Sequence, residues 1–78
     1  MDKYDSIHYE IDCYDTERQQ LQDRATTTNK RDALRTARAM AGRYPVVEVL
    51  RQYTYNGDYV AFDVVAAYLN GKETYNNI

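Results

Sequence analysis

The sequence has few of the residues that mark secreted, zinc-binding or catalytic proteins. Its 78 residues include one cysteine, one histidine and three glycines. A lone cysteine cannot form an intrachain disulfide, and the cysteine and histidine spacings of zinc sites are missing. No glycine-rich phosphate loop precedes a helix, and no serine or cysteine lies at a recognisable spacing from a base. These gaps argue against an enzyme, a metal site or a bound cofactor.

Long apolar runs are also missing. No stretch approaches the roughly 20 apolar residues of a membrane span, and the acidic first residues lack the basic and apolar regions of a signal peptide. We therefore expect a cytoplasmic protein. Seventy-eight residues predict a single domain, residues 1–78, with a core too small to enclose a deep substrate cavity. Tryptophan is absent, whereas nine tyrosines are present, and tyrosine suits both strands and binding surfaces.

Residues 26–44, TTTNKRDALRTARAMAGRY, carry the strongest helix signal. Thr28 or Asn29 can cap the first turn with a side-chain oxygen, and Gly42 can end the helix. Apolar residues at three- and four-residue spacing predict a face that packs on a sheet, and they are Leu34, Ala37, Met40, Ala41 and Tyr44. The opposite side carries three arginines, Arg31, Arg35 and Arg38.

The segment Ser6–Tyr14 alternates between apolar and polar residues, which predicts a half-buried strand. Its polar side carries His8, Glu10 and Asp12, residue types that bind metal ions or transfer protons. Ligands on one strand need others from elsewhere, so we interpret this side as a solvated face. Residues 15–27 contain one long aliphatic side chain and predict a mobile polar connection, with room for one helical turn or a strand extension.

After Pro45 the sequence predicts a β-hairpin. Val46–Tyr55 is rich in β-branched and aromatic residues, and Asn56-Gly57 can adopt the positive φ angles of a type I′ turn. Counting outward from a two-residue turn gives the pairs Tyr55–Asp58, Tyr53–Val60, Arg51–Phe62, Val49–Val64 and Val47–Ala66. This register turns Phe62 toward the helix, so we expect Leu34 and Phe62 to meet in the core.

A second Asn-Gly pair, Asn70-Gly71, predicts another turn that brings Tyr75 back alongside residues 66–68. Residues 63–69 could instead form a short helix, but the β-branched pair at 64 and 65 favours a strand. The expected fold class is α+β, with the order β-α-β-β-β and one amphipathic helix on an antiparallel sheet. The position of the first strand in that sheet stays open, and residues 76–78 are expected to fray.

Charge is unevenly distributed along the chain. Residues 1–17 contain six acidic residues and one lysine, whereas residues 24–43 contain six basic residues and one aspartate. The fold can therefore present an acidic and a basic surface, or neutralise the two if the first strand lies beside the helix. Either surface could contact a partner.

Two kinds of binding follow from the side chains. The helix arginines and three hairpin tyrosines, Tyr53, Tyr55 and Tyr59, are residue types that dominate protein interfaces. The same types contact phosphates and stack on bases, although an isoelectric point near 5.2 disfavours nucleic acid. We expect a protein partner first and a nucleic acid second.

The pattern over residues 7–63 resembles a group of very small phage and mobile-element proteins. The shared features are a strand, a polar connection, the helix opening TTTNKRDALRTARAMA, and the hairpin VVEVLRQYTYNGDYVAFD. The group includes anti-CRISPR proteins with one helix packed on an antiparallel sheet. The resemblance implies a phage-encoded inhibitor in the host cytoplasm that binds a CRISPR effector complex tightly and blocks its nucleic-acid path or its conformational change. A small prophage protein with another partner fits the same pattern.

Overall fold

A computed structural model describes residues 6–78 of the chain. Its elements are β1 (Ser6–Tyr14), β2 (Leu21–Thr27), α1 (Lys30–Ala41), β3 (Val46–Tyr55), β4 (Asp58–Leu69) and β5 (Lys72–Asn76). The strands form one antiparallel sheet in the order β2-β1-β3-β4-β5. One helix on an antiparallel sheet confirms the α+β class, and β1 pairs with β2 on one side and β3 on the other.

Strand β2 lies in the segment that the sequence predicts to be a polar connection. It runs antiparallel to β1, from the pair Tyr9–Thr27 to the pair Tyr14–Leu21. An edge strand has one neighbour and one packed face, so it needs fewer apolar residues than a central strand. Leu21–Thr27 is therefore a strand and not a connection, which agrees better with the strand-extension alternative, and the sheet gains a fifth strand.

Helix α1 begins and ends where the sequence indicates. The Asn29 side chain accepts hydrogen bonds from the backbone N–H groups of Arg31 and Asp32, at 2.8 and 3.2 Å. Gly42 caps the other end. The helix buries Ala33, Ala37, Met40 and Ala41, which are mostly small, so its backbone can approach the sheet closely. Leu34 is only partly buried at the side of this contact.

The core lies between α1 and one face of the sheet. Its largest fully buried side chains come from the two central strands and are Ile11, Cys13, Val47 and Val49. Strand β4 adds Ala66 and Tyr68. The Cys13 thiol lies 3.8 Å from the Met40 sulfur, joining β1 to the helix. Burial raises the pKa of the Cys13 thiol to about 11, as expected for a structural thiol.

The hairpin β3–β4 contains two β-bulges that the sequence does not indicate. Tyr55 faces Asp58 as expected, but Val60 is an extra residue, so that Tyr53 faces Ala61 and Arg51 faces Asp63. A second extra residue at position 65 places Val49 opposite Ala66. The predicted pairs Tyr53–Val60, Arg51–Phe62, Val49–Val64 and Val47–Ala66 are therefore wrong.

A shift of one residue turns every following side chain to the other face of the sheet. Between the two bulges, Phe62 and Val64 thus point away from α1, and Phe62 faces Gln52. Phe62 is 59% exposed, so the expected core contact between Leu34 and Phe62 is wrong. The second bulge restores the alternation, and Ala66 lies under the helix as expected.

Both Asn-Gly pairs form the predicted turns. The φ angles are 53° and 82° at Asn56 and Gly57, and 50° and 82° at Asn70 and Gly71. Residues 63–69 belong to β4, which confirms the strand over the helix alternative. At the end of the chain, the Asn77 N–H donates to the Val65 carbonyl at 2.7 Å and Ile78 packs against the core. The expected fraying of residues 76–78 stays a prediction.

Candidate interaction surfaces

The face of the sheet opposite α1, here called the open face, carries large apolar side chains. No helix covers it within residues 6–78. Phe62 faces Gln52 and Val64 faces Leu50 on this face. We call the exposed group on β4 and β5 the open-face patch, and define it as Tyr59, Val60, Phe62, Val64, Leu69 and Tyr75. Contiguous apolar side chains of this size mark binding surfaces more often than single exposed residues do.

The β1 side of the open face carries charges that pair with one another. Asp12 is only 3% exposed, and the Arg24 Nε donates to its Oδ1 at 2.8 Å. The Tyr14 hydroxyl donates to the other carboxylate oxygen at 3.4 Å. Burial and the adjacent Asp12 raise the pKa of Glu10, and Arg24, 3.5 Å away, opposes the shift. Arg24 on β2 therefore offsets part of the acidic charge of β1.

A second ion pair, between Arg18 and Glu48, lies on the same face. Arg18 donates two hydrogen bonds to the Glu48 carboxylate, at 2.7 and 2.9 Å, and its guanidinium lies 5.3 Å from the Tyr14 ring centre. A bidentate pair of this kind orients both side chains. Together with the Asp12 contacts, it makes this half of the open face a satisfied polar network. The apolar half on β4 and β5 is the part that stays available to a partner.

The three helix arginines lie in solvent on the outer side of α1, as predicted. Arg35 pairs with Asp32 one turn earlier, and Arg38 lies 3.9 Å from the Glu73 carboxylate. Arg31 makes no ion pair with any of residues 6–78. Arg31 also lines a depression of about 510 Å³ at the start of the helix, with Lys30 and Tyr9 among its neighbours.

The structure does not bring the three predicted tyrosines together. Tyr53 lies on the helix side of the sheet, where its hydroxyl donates to Asp63 Oδ2 at 2.8 Å. Tyr55 ends β3 at the hairpin turn and is half exposed. Tyr59 lies on the open face, with its ring 5.3 Å from the His8 ring. The arginines and Tyr59 are therefore on opposite sides of the molecule and cannot form one contact surface.

Sequence reasoning missed most of the open-face patch. Val60, Phe62 and Val64 alternate with smaller or polar residues, and such a row has the same pattern whether it faces a core or solvent. The bulge at Val60 decides whether this row faces the core or solvent. A bulge formed by a valine and an alanine has no sequence signature of its own.

The residue types that bind metal ions do not cluster among residues 6–78. No three His, Cys, Asp or Glu side chains in this part of the chain are placed to hold one metal ion. His8, Glu10 and Asp12 share the open face, but Asp12 accepts a hydrogen bond from Arg24 and the His8 ring packs near Tyr59. The one helix in this region is too short and too polar to cross a membrane.

Comparison of the chain with protein-family models, curated proteins and solved structures finds no match.

Proposed function

We propose that this chain is a non-enzymatic binding protein that holds a protein partner against its open face. The observation that carries the proposal is the exposure of Phe62 and Tyr59, 59% and 67%, on a sheet face with no helix over it in residues 6–78. Aromatic side chains bury a large area on binding and lose little conformational entropy, which is why they dominate interface energies.

The neighbouring polar network supports the same surface. Protein interfaces combine an apolar centre with a polar, solvent-accessible rim. Here the Arg24–Asp12 and Arg18–Glu48 pairs border the open-face patch across β1 and β3. A partner can therefore cover the patch without leaving a buried charge unpaired, a cost of several kcal/mol when it occurs.

Within this class we propose an inhibitor that binds a host defence complex, such as a CRISPR effector, in the cytoplasm. Three features support this finer proposal: the small size of the chain, its surface rich in tyrosine and arginine, and the resemblance to small phage proteins. An inhibitor of this kind acts by occupying a surface, so it needs a contact patch and no catalytic group.

A pull-down from lysates that contain CRISPR effector complexes tests the proposal. The bait variants are Leu69→Asp and Tyr75→Asp on the open face, and Arg35→Ala on the helix. Leu21→Asp is a matched control, because Leu21 is 42% exposed on β2, outside the patch, and Leu69 is 47% exposed. Leu21 faces Tyr14 on the open face but lies away from β4 and β5. We therefore expect only the patch variants, Leu69→Asp and Tyr75→Asp, to lose a stoichiometric partner that wild type, Leu21→Asp and Arg35→Ala retain.

Two results would refute this assignment. A partner that is lost with Arg35→Ala and kept by the open-face variants would move the contact to the helix. Failure to recover any stoichiometric protein from such lysates would refute the proposal of an inhibitor. If a CRISPR effector is the partner, the purified protein should also reduce target-DNA binding or cleavage by that effector, and Tyr75→Asp should not.

The second candidate is nucleic-acid binding by the basic side of α1. Its support is the depression at the helix start, where Lys30 and Arg31, which has no ion pair within residues 6–78, meet the positive end of the helix dipole. Affinity for DNA or RNA should then fall steeply between low and physiological salt. Arg31→Ala should flatten that salt dependence more than Arg35→Ala does, because Arg35 already pairs with Asp32. Absence of a mobility shift at low salt would exclude this function.

A further inference from the structure

The outer edge of β4 is paired over only part of its length. Strand β5 covers it from Ala66 to Leu69, and the Asn77 N–H bonds to the Val65 carbonyl. Residues 58–64 have β3 on one side and, within residues 6–78, no strand on the other. Apart from the bulge at Val60, a common form of edge protection, the backbone groups along this edge can accept a further strand.

The two edges of the sheet differ in how they are protected. The opposite edge, β2, presents the polar and charged residues Gln22, Asp23 and Arg24, the kind of sequence that discourages pairing. The free part of β4 instead carries Val60, Phe62 and Val64, each at least 38% exposed. Apolar residues on an open edge favour strand addition, since the new strand gains side-chain contacts as well as backbone hydrogen bonds.

The sequence of this edge is nearly symmetric about Phe62. In an antiparallel pairing with a second copy centred on that residue, Phe62 faces its own counterpart and Val60 faces Val64. Asp63 then faces Ala61, so no carboxylate opposes another. A pairing centred on Ala61 would instead place Tyr59 opposite Asp63 and Val64 opposite Asp58. The register about Ala61 also places Val60 opposite Phe62, but the register about Phe62 is the one of the two that keeps Val60, Phe62 and Val64 away from a carboxylate.

We propose that the chain forms a twofold symmetric dimer by antiparallel pairing of β4 with β4 of a second copy, centred on Phe62. A twofold axis through this pair is perpendicular to the sheet, so both open faces lie on the same side of one continuous sheet. Dimerisation thus places two open-face patches next to each other. It goes beyond partner binding, and either property can hold without the other.

The size of the contact sets the strength of the dimer. A pairing of residues 60–64 is about 17 Å long, and it buries less than the roughly 1,600 Å² of a standard interface. We therefore expect a reversible dimer with a dissociation constant in the micromolar range or weaker. At low concentration the chain should be a monomer of 9.2 kDa.

Sedimentation velocity tests the proposal. Wild type is run from about 10 to about 500 µM, a range that covers the affinities of small interfaces, alongside Phe62→Asp and Tyr75→Asp. We expect wild type and Tyr75→Asp to shift toward twice the monomer mass with concentration. Phe62→Asp brings two carboxylates face to face and should weaken the dimer at least about tenfold. Circular dichroism checks that each variant is folded.

A charge exchange tests the register itself. Phe62→Asp and Phe62→Lys should each be monomeric alone and form a heterodimer when mixed, because only a pairing centred on Phe62 opposes the two new charges. In addition, Phe62→Cys should form a disulfide-linked dimer on mild oxidation, whereas the wild-type thiol at Cys13 is fully buried and should not.

Three outcomes would overturn the dimer. These are a wild type that stays monomeric throughout the range, a dimer unaffected by Phe62→Asp, and a charge-exchanged pair that does not associate. If wild type is monomeric and Phe62→Asp abolishes its capture of a lysate partner, the edge of β4 instead pairs with a strand of that partner. Loss of partner capture by Tyr75→Asp with an intact dimer would separate the two surfaces.

Discussion

Truncating Ile11 should cost far more stability than truncating Phe62. Ile11 lies on the helix side of β1, between Ala25 of β2 and Val49 of β3, and is fully buried. Changing Ile11 to alanine removes three carbon atoms, about 2.4 kcal/mol at 0.8 kcal/mol for each. The cavity left under α1 adds to this loss, so we expect a total of about 3–4 kcal/mol.

That loss is a large fraction of the free energy of unfolding of a domain of this size. At about 0.05–0.15 kcal/mol per residue, a chain of 78 residues is stable by about 4–12 kcal/mol. Each kcal/mol lowers the melting temperature of a small domain by about 4–8 °C, so Ile11→Ala should melt roughly 12–30 °C below wild type. Phe62→Ala should cost less than about 1 kcal/mol, because a side chain already 59% exposed loses little burial.

Urea unfolding followed by circular dichroism measures both variants against wild type. The midpoint should fall strongly for Ile11→Ala and little for Phe62→Ala, with the slope unchanged if unfolding stays two-state. The comparison tests the bulge at Val60, since an unbulged hairpin would turn Phe62 into the core. A cost for Phe62→Ala equal to or above that for Ile11→Ala would refute the register. The experiment is run at low protein concentration to keep self-association out of the result.

Three further predictions concern single side chains. Arg24→Met should destabilise the fold by about 1–3 kcal/mol in urea unfolding, because it leaves the Asp12 carboxylate buried without its strongest partner; a change no larger than that of Arg35→Met would contradict this. Burial raises the pKa of Glu10, so ionisation of this side chain opposes folding. Wild-type stability should therefore decline as the pH rises from the ordinary pKa of 4.5 through the raised pKa of the folded state. Glu10→Gln should flatten that part of the profile of stability against pH. Asn29→Ala removes the helix cap and should cost about 1 kcal/mol in the same assay, whereas Asn29→Asp should keep most of it.

The elements that the sequence predicts are those with strong local signals. Helix α1 has a capping asparagine, an apolar stripe and a terminal glycine within one stretch of chain. Both hairpin turns follow from Asn-Gly pairs, whose positive φ angles few other residues adopt easily. The alternation of Ser6–Tyr14 identifies β1. In each case the residues that specify the element lie inside it.

The features that the sequence did not predict depend on contacts between distant segments. Strand β2 has small or polar residues on its packed face, Asp23, Ala25 and Thr27, and becomes a strand because β1 offers an edge. Its Asp23 accepts a hydrogen bond from the Tyr44 hydroxyl at 3.0 Å, a contact across 21 residues of sequence. The bulges likewise reflect how β3 and β4 fit under the helix. Within the open-face patch, Phe62 and Val64 point away from α1 because of the one extra residue at Val60.

The interior place of β1, between β2 and β3, has a consequence for how the chain acquires its structure during synthesis. The hairpins β1–β2, β3–β4 and β4–β5 join neighbours in sequence, and such local pairs close quickly. The ladder between β1 and β3 joins residues as far apart as Ser6 and Thr54, and it carries much of the core. During synthesis on the ribosome, the edge of β1 that pairs with β3 stays unpaired until β3 has emerged. The rate-limiting event should therefore be the docking of two preformed hairpin units, with α1 as the tether that keeps them close.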